Sequence, residues 1–139
     1  MITKDTFVRG SKNGATTVWM LAKIILPVYF VVTVLKHTGL LEYVAIIFAP
    51  AMSIFGLPGE AALALVLGNA LNIYAALGVI SSISLTAKQI TILAVMISFS
   101  HTLFVETAVT KKIGIGVLPI LATRIGLALA SGIILNIVL

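Results

Sequence analysis

The chain has 139 residues, is 60% hydrophobic and only 9% charged, and has a mean hydropathy of +1.23, whereas a soluble domain carries roughly 25% charged residues. That balance excludes an ordinary water-soluble enzyme, and long apolar runs without period-two alternation exclude a water-filled β-barrel. The net charge of +5 sits in basic residues that flank apolar segments, which fits membrane orientation and not a nucleic-acid polymer, and the lack of cysteine removes disulfides, thiolate metal sites and a Cys nucleophile.

Residues 1–16 form a basic N-terminal segment, with Lys4, Asp5, Arg9 and Lys12 beside Phe7 and Val8. It reads either as a short interfacial helix ending near Gly14 or as a tail. It does not resemble a cleaved signal, because the apolar run after it is full length and lacks a small-residue cleavage site. Residues 17–139 are expected to form one transmembrane domain. The first span covers residues 17–35, close to the ~20 residues a bilayer needs. Trp19 suits the headgroup region, Lys23 can snorkel outward, and Pro27 should kink the helix.

Lys36-His37-Thr38-Gly39 is a polar loop, and a shorter apolar helix follows with Glu42 and Tyr43 at its start and Pro50 inside. The turn Gly56-Leu57-Pro58-Gly59 then interrupts apolar sequence, with Glu60 directly after it. Residues 60–83 form the returning arm. In a bilayer such a break is tolerated only where protein or a water-filled cavity satisfies the freed backbone groups. The two arms either both cross the membrane or form one re-entrant hairpin. Thr86 and Gln89 have capping-box spacing and start the next helix, which Ser98-Phe99-Ser100-His101-Thr102 interrupts and Lys111-Lys112 closes. The last span carries Arg124 and a stripe of small residues, Ala128, Ser131 and Gly132.

The predicted fold is therefore an all-α integral membrane protein. It has about five hydrophobic helices, including a broken or re-entrant helical hairpin around Gly56 to Gly59. Lys4, Arg9, Lys12, Lys111 and Lys112 on one side against Lys36 and Lys88 on the other predict the N-terminus inside and the C-terminus outside.

Polar residues within the apolar segments are the candidate functional groups. Glu60 begins a helix, where exposed amides and the helix dipole favour a carboxylate; this is either a helix-end role or a cation, proton or hydroxyl site. Asn69 and Asn72, three apart, are expected on neighbouring positions of one helix face, and Asn72 falls in a small stripe of four-residue spacing with Ala64, Gly68 and Ala76. They read as interhelical glue or as a site lining, and Tyr74 as a stacking ring or an anchor. His101 and Glu106 converge only if the helix unwinds between Ser98 and Thr102. Ionisable residues inside a span usually face a bundle interior or cavity. The competing reading pairs Glu106 with Arg124, structurally or as a gate. No His-Glu-x-x-His, Gly-x-Ser-x-Gly or phosphate-loop motif is present, so enzymatic activity is not expected. Two distant histidines make no metal site, and no cofactor is expected beyond a coupling ion of unspecified kind.

Two stretches, Gly56-Leu57-Pro58-Gly59-Glu60 running on to Gly68-Asn69-Ala70-Leu71-Asn72-Ile73-Tyr74, and His101-Thr102-Leu103-Phe104-Val105-Glu106 running on to Lys112, with Arg124 after them, resemble the nucleoside-recognition, or Gate, domain family. The resemblance covers nearly the whole chain from about Thr17. It is the family of spore maturation proteins A and B and of the membrane part of B-type ferrous-iron transporters, with distant similarity to concentrative nucleoside transporters. It implies that Glu60, Asn69, Asn72, His101 and Glu106 line a polar cavity. The iron-transporter version carries a Cys where this chain has Gly68-Asn69, which argues against iron.

A transporter of this type needs two halves around a midplane site. The first reading is thus a half-transporter in a bacterial or archaeal cytoplasmic membrane. It would act on a small polar solute of nucleoside-like kind, with ion coupling through Glu60 or Glu106. Its expected partners are the lipid bilayer and either a second copy, as a homodimer, or a related second subunit. The alternative is a non-transporting membrane assembly component of the spore-maturation kind, and a third, weaker reading is an ion pore.

Overall fold

A computed structural model describes residues 4–139, and every regular element in it is helical. The order is α1 (Lys4–His37), α2 (Leu40–Ser53), α3 (Ala61–Ala70), α4 (Ile73–Ile80), α5 (Ala87–Ser100), α6 (Leu103–Lys112) and α7 (Val117–Val138). Seven helical segments stand where about five were expected, because two of the expected helices are broken. Three stretches are long and apolar enough to cross a membrane: α1, the interrupted span Ala87–Lys112, and α7.

α1 is continuous from Lys4, so the basic segment joins the first span without a break at Gly14. Its 34 residues give a helix about 50 Å long, well beyond a hydrocarbon core of about 30 Å. The first turns therefore extend past the apolar layer. Lys23 Nζ lies 5.6 Å from the Trp19 ring centroid, a cation–π contact one turn apart on the same helix.

A turn at Thr38-Gly39, with Gly39 at φ 76, reverses the chain into α2. The predicted Gly56 to Gly59 turn is present. Gly56 adopts φ 66, and the Leu57 amide donates to the Met52 carbonyl at 3.1 Å. Buried Phe55 and Leu57 anchor it. Gly59 passes so close to the Ala45 carbonyl that any Cβ would overlap it.

The returning arm differs from the single helix expected. It breaks at Leu71-Asn72, where Asn72 is fully extended (φ −168, ψ 168). α3 has 10 residues and α4 has 8, so they measure about 15 and 12 Å, and neither can span alone. They fold back on one another with Gly68 against Ala76, where an added Cβ would sit 3.1 Å from the alanine methyl. α4 then packs on α1. At Gly78 an added Cβ would lie 2.9 Å from Val28 Cβ and 3.0 Å from the Ile25 carbonyl. The chain thus reverses twice here, at the expected Gly56 to Gly59 turn and again at Leu71-Asn72.

The capping box starts α5 as predicted: Gln89 N donates to Thr86 Oγ1 at 3.3 Å, and Thr86 N donates to Gln89 Oε1 at 2.9 Å. α7 runs antiparallel to α5 in close contact. The small stripe makes this possible, since Ala128 and Gly132 are buried and a Cβ at Gly132 would sit 2.8 Å from Phe55 Cδ1. The core lies where α3, α4 and α5 meet. Ala61, Ala64, Ala75, Ala76, Val79, Ile92 and Leu93 are completely buried, the alanines allowing the short helices to approach.

One end of the bundle is tied by three long-range side-chain bonds. Lys88 Nζ donates to the Asn136 carbonyl (2.8 Å), Asn136 Nδ2 to the Ile54 carbonyl (3.2 Å), and Gln89 Nε2 to the Gly56 carbonyl (3.3 Å). The root of the α3–α4 hairpin is thereby fixed to the start of α5 and the end of α7.

Candidate functional site: the crossing of two broken helices

The second break falls at His101-Thr102, near the middle of the 26-residue span Ala87–Lys112. Thr102 has φ 54, the one left-handed non-glycine among the described residues. A β-branched residue there is strained, so the surroundings must hold it. They do so by joining the two breaks. The Thr102 amide donates to the Gly68 carbonyl at 3.1 Å, a carbonyl freed by the break in the other helix. Ser100 Oγ lies 2.8 Å from Asn69 Oδ1 and 3.0 Å from the Met96 carbonyl. Each break thus supplies partners that the other has lost.

The carbonyls at the end of α5 are accounted for in the same way. His101 Nδ1 is 3.2 Å from both the Ile97 and Ser98 carbonyls. Both can only accept, which places a ring proton on Nδ1. Arg124 reaches across from α7. Its Nε donates to the Phe99 carbonyl at 2.7 Å, its Nη2 donates to the His101 carbonyl at 3.0 Å, and its Nη1 pairs with Glu106 Oε2. One planar guanidinium therefore braces the last turn of α5 and the first turn of α6, a geometry that a lysine cannot reproduce. The Arg124 side chain is 17% exposed and that of Glu106 is 45% exposed. A small pocket of about 10 Å³, which Thr110 also lines, lies on one side of the pair, while Glu106 stays nearly half exposed on the other.

Of the residues singled out from sequence, Asn69, His101, Glu106 and Arg124 come together at the crossing. His101 and Glu106 do not touch directly; Arg124 links the histidine carbonyl to the carboxylate. Asn72 does not share a helix face with Asn69, because α3 ends between them. It caps α4 instead, its Oδ1 accepting from the Ala75 amide at 3.0 Å. Tyr74 lies just past that cap and is exposed. Glu60 sits at the opposite end of α3, about 14 Å along the helix from Asn69, and its side chain makes no cap bond. The five residues expected around one cavity are therefore divided. Ser100, Thr102 and Thr107 belong to the crossing but were not singled out. The Ser98 to Thr102 interruption marked the place, and nothing in a threonine marks a left-handed turn.

Beside the crossing lies a cavity of about 410 Å³, lined by Val66, Asn69, Ala70, Leu103, Phe104, Thr107 and Leu121. Its walls are apolar apart from one amide and one hydroxyl. Among the described residues no three of His, Asp and Glu lie close enough to share a metal ion.

The sequence profile of the Gate family, described as nucleoside recognition, matches residues 18–127. The chain belongs to the Gate family. The matched Gate region contains both breaks, Glu106 and Arg124. Over 135 residues this Gate protein is 46% identical to the membrane protein YvoD of Bacillus subtilis (strain 168), a match covering 97% of this chain and 43% of YvoD. Over 95 residues it is 36% identical to the inner membrane protein YjiG of Escherichia coli (strain K12), a match covering 64% of this chain and 61% of YjiG. The chain thus spans less than two thirds of the length of either relative. No solved structure matches it significantly. With its family, its relatives and its three candidate spans, this Gate protein is a multi-span protein of the cytoplasmic membrane.

Proposed function

We propose that this Gate protein is one half of a transport unit that moves a small polar solute of nucleoside-like kind across the cytoplasmic membrane. The observation that carries the reading is the crossing itself. Two discontinuous helices meet near mid-span, and non-helical backbone at that depth is stable only in a protein interior or beside a cavity. Interrupted helices are a common way for transporters to build a solute site. On this reading Asn69 and Thr107 contact the solute, Phe104 stacks on its ring, and the Glu106–Arg124 pair is the gate that any coupling ion must open. The basic residues support an inward N-terminus.

A second reading is favoured by one observation. Glu106 is already taken up by Arg124, whose guanidinium also holds the Phe99 and His101 carbonyls, as a permanent structural brace would require. The chain would then be a non-transporting assembly component. A thermal-shift series on detergent-purified protein separates the two, because a ligand that binds only the folded state raises its apparent stability. Nucleosides, bases and mono- and divalent cations are titrated. Transport predicts a concentration-dependent rise for one class, lost in Asn69→Ala. Flat curves for every class, with Glu106→Gln lowering the melting temperature, overturn the transport reading in favour of assembly.

A further inference from the structure

We infer that Ser100 is a positioning residue for the cavity at the crossing: it turns the Asn69 side-chain carbonyl into the cavity, which then selects a neutral solute carrying a ring N–H. The choice of solute rests on the transport reading; the orientation of the amide does not. Ser100 Oγ has two neighbours, Asn69 Oδ1 at 2.8 Å and the Met96 carbonyl at 3.0 Å. Both oxygens can only accept, and a serine hydroxyl has one proton to give. The Met96 carbonyl cannot change its character, but the amide can. A half-turn about its last bond exchanges oxygen and nitrogen at constant volume, and the bonds around it decide which atom faces where. Ser100 then donates to the Met96 carbonyl and accepts from Asn69 Nδ2, so every atom meets a partner of the opposite kind. Ser100 is only 3% exposed, where an unmade bond is costly.

Neither partner can move away to avoid this arrangement. Ser100 is the last residue of α5, and Asn69 follows Gly68, whose carbonyl the Thr102 amide holds at 3.1 Å. The other end of the Asn69 amide has no partner among the described residues and is not buried, and Asn69 lines the 410 Å³ cavity. With nitrogen turned to Ser100, that end is an oxygen, an acceptor. The rest of the lining offers the Thr107 hydroxyl, the Phe104 ring and aliphatic walls, with no charge. The neighbouring Arg124 guanidinium is committed to Phe99, His101 and Glu106. A solute held here must therefore be neutral and must bring a proton to Asn69. A flat lactam or imide does both, its ring N–H on the carbonyl and its face on Phe104. A solute offering only acceptors leaves the carbonyl unpaired, and a site built around a hydrogen bond discriminates strongly against such a ligand.

The test has two arms, both on the full chain in detergent. The first needs no ligand. The chain has four asparagines, Asn13, Asn69, Asn72 and Asn136, so labelling asparagine alone with nitrogen-15 gives four side-chain amide signals, and the one lost in Asn69→Asp is assigned. A nitrogen bonded to Ser100 predicts an Asn69 amide proton that exchanges with water at least about tenfold more slowly than in Ser100→Ala, with Ser100→Thr restoring the protection. Equal exchange in wild type and Ser100→Ala overturns the proposal. If Ser100→Ala fails to accumulate, Ser100→Gly replaces it. The second arm follows thermal shifts with uracil and 1,3-dimethyluracil. The two methyl groups add apolar surface, so an apolar cavity that reads no N–H binds the methylated ring as well or better. The expected result is binding of uracil at least about tenfold tighter, an advantage lost in Ser100→Ala and regained in Ser100→Thr. Equal or tighter binding of dimethyluracil, or a preference for uracil that survives in Ser100→Ala, overturns the selection by Asn69. Flat curves for both compounds with the exchange difference intact remove the transport reading and the solute with it, and leave the orienting role of Ser100 established.

Discussion

Replacing Arg124 by methionine should be the most damaging single change at the crossing, and the reason is that the guanidinium does three things at once. It neutralises Glu106 and occupies the Phe99 and His101 carbonyls. Glu106 is close to half exposed, so loss of the ion pair is discounted to about 1 kcal/mol. The two carbonyls lose their charged donors inside a span, where interhelical polar bonds are worth about 0.6 kcal/mol on average and about 1.7 at most. The total expected for Arg124→Met is therefore about 2–4 kcal/mol. Glu106→Gln leaves both carbonyl bonds in place and should cost only about 1 kcal/mol. Arg124→Lys keeps the charge but cannot span both carbonyls and Glu106, and should fall between. The assay is reversible unfolding in mixed micelles titrated with SDS, followed by far-UV circular dichroism. The double variant completes a mutant cycle. The decisive quantity is the ordering. A simple ion pair makes Arg124→Met and Glu106→Gln equally costly, and equal values, or Arg124→Lys matching wild type, would refute the three-way brace.

Three further outcomes follow from the packing and the backbone. Gly59→Ala forces a methyl into the Ala45 carbonyl and should cost more than about 2 kcal/mol, whereas Gly126→Ala meets nothing within 4 Å and should be neutral or slightly stabilising; yield of folded protein after detergent extraction and the same unfolding titration compare them. Thr102→Gly relieves the left-handed strain and should stabilise by up to about 1 kcal/mol, while Thr102→Val keeps the strain, loses the hydroxyl and should destabilise in that titration. Asn72→Ala removes the cap of α4 and should cost about 1 kcal/mol, and Asn72→Ser should restore most of it. If Asn72→Ser recovers stability but abolishes a ligand-induced thermal shift, Asn72 contacts the solute as well as the helix.

What the sequence revealed, it revealed through local chemistry. The Thr86 and Gln89 spacing gave a real capping box, and the Gly56-Leu57-Pro58-Gly59 turn sits where glycine and proline require one. Arg124 met Glu106 because an isolated carboxylate in a span needs a partner, and one arginine lay a short helix away. The break at Leu71-Asn72 was hidden for the opposite reason. No proline or glycine marks it, and the spacing of Ala64, Gly68, Asn72 and Ala76 fits an unbroken helical stripe. Gly68 and Ala76 do meet, but across a hairpin rather than along one face. The available signal was Asn72 itself, a preferred cap residue directly before an apolar run. The separation of Glu60 from Asn69 is simply the length of α3, which nine residues of continuous helix set with or without the later break.

The bond that joins the two breaks, from the Thr102 amide to the Gly68 carbonyl, is made of main-chain atoms alone. Substitution at neighbouring positions cannot remove it, provided position 68 stays small enough to lie against Ala76. The side chains around the cavity carry no such constraint. The residues that line the cavity and the architecture that creates it can therefore change independently, so the lining can be rebuilt without rebuilding the scaffold.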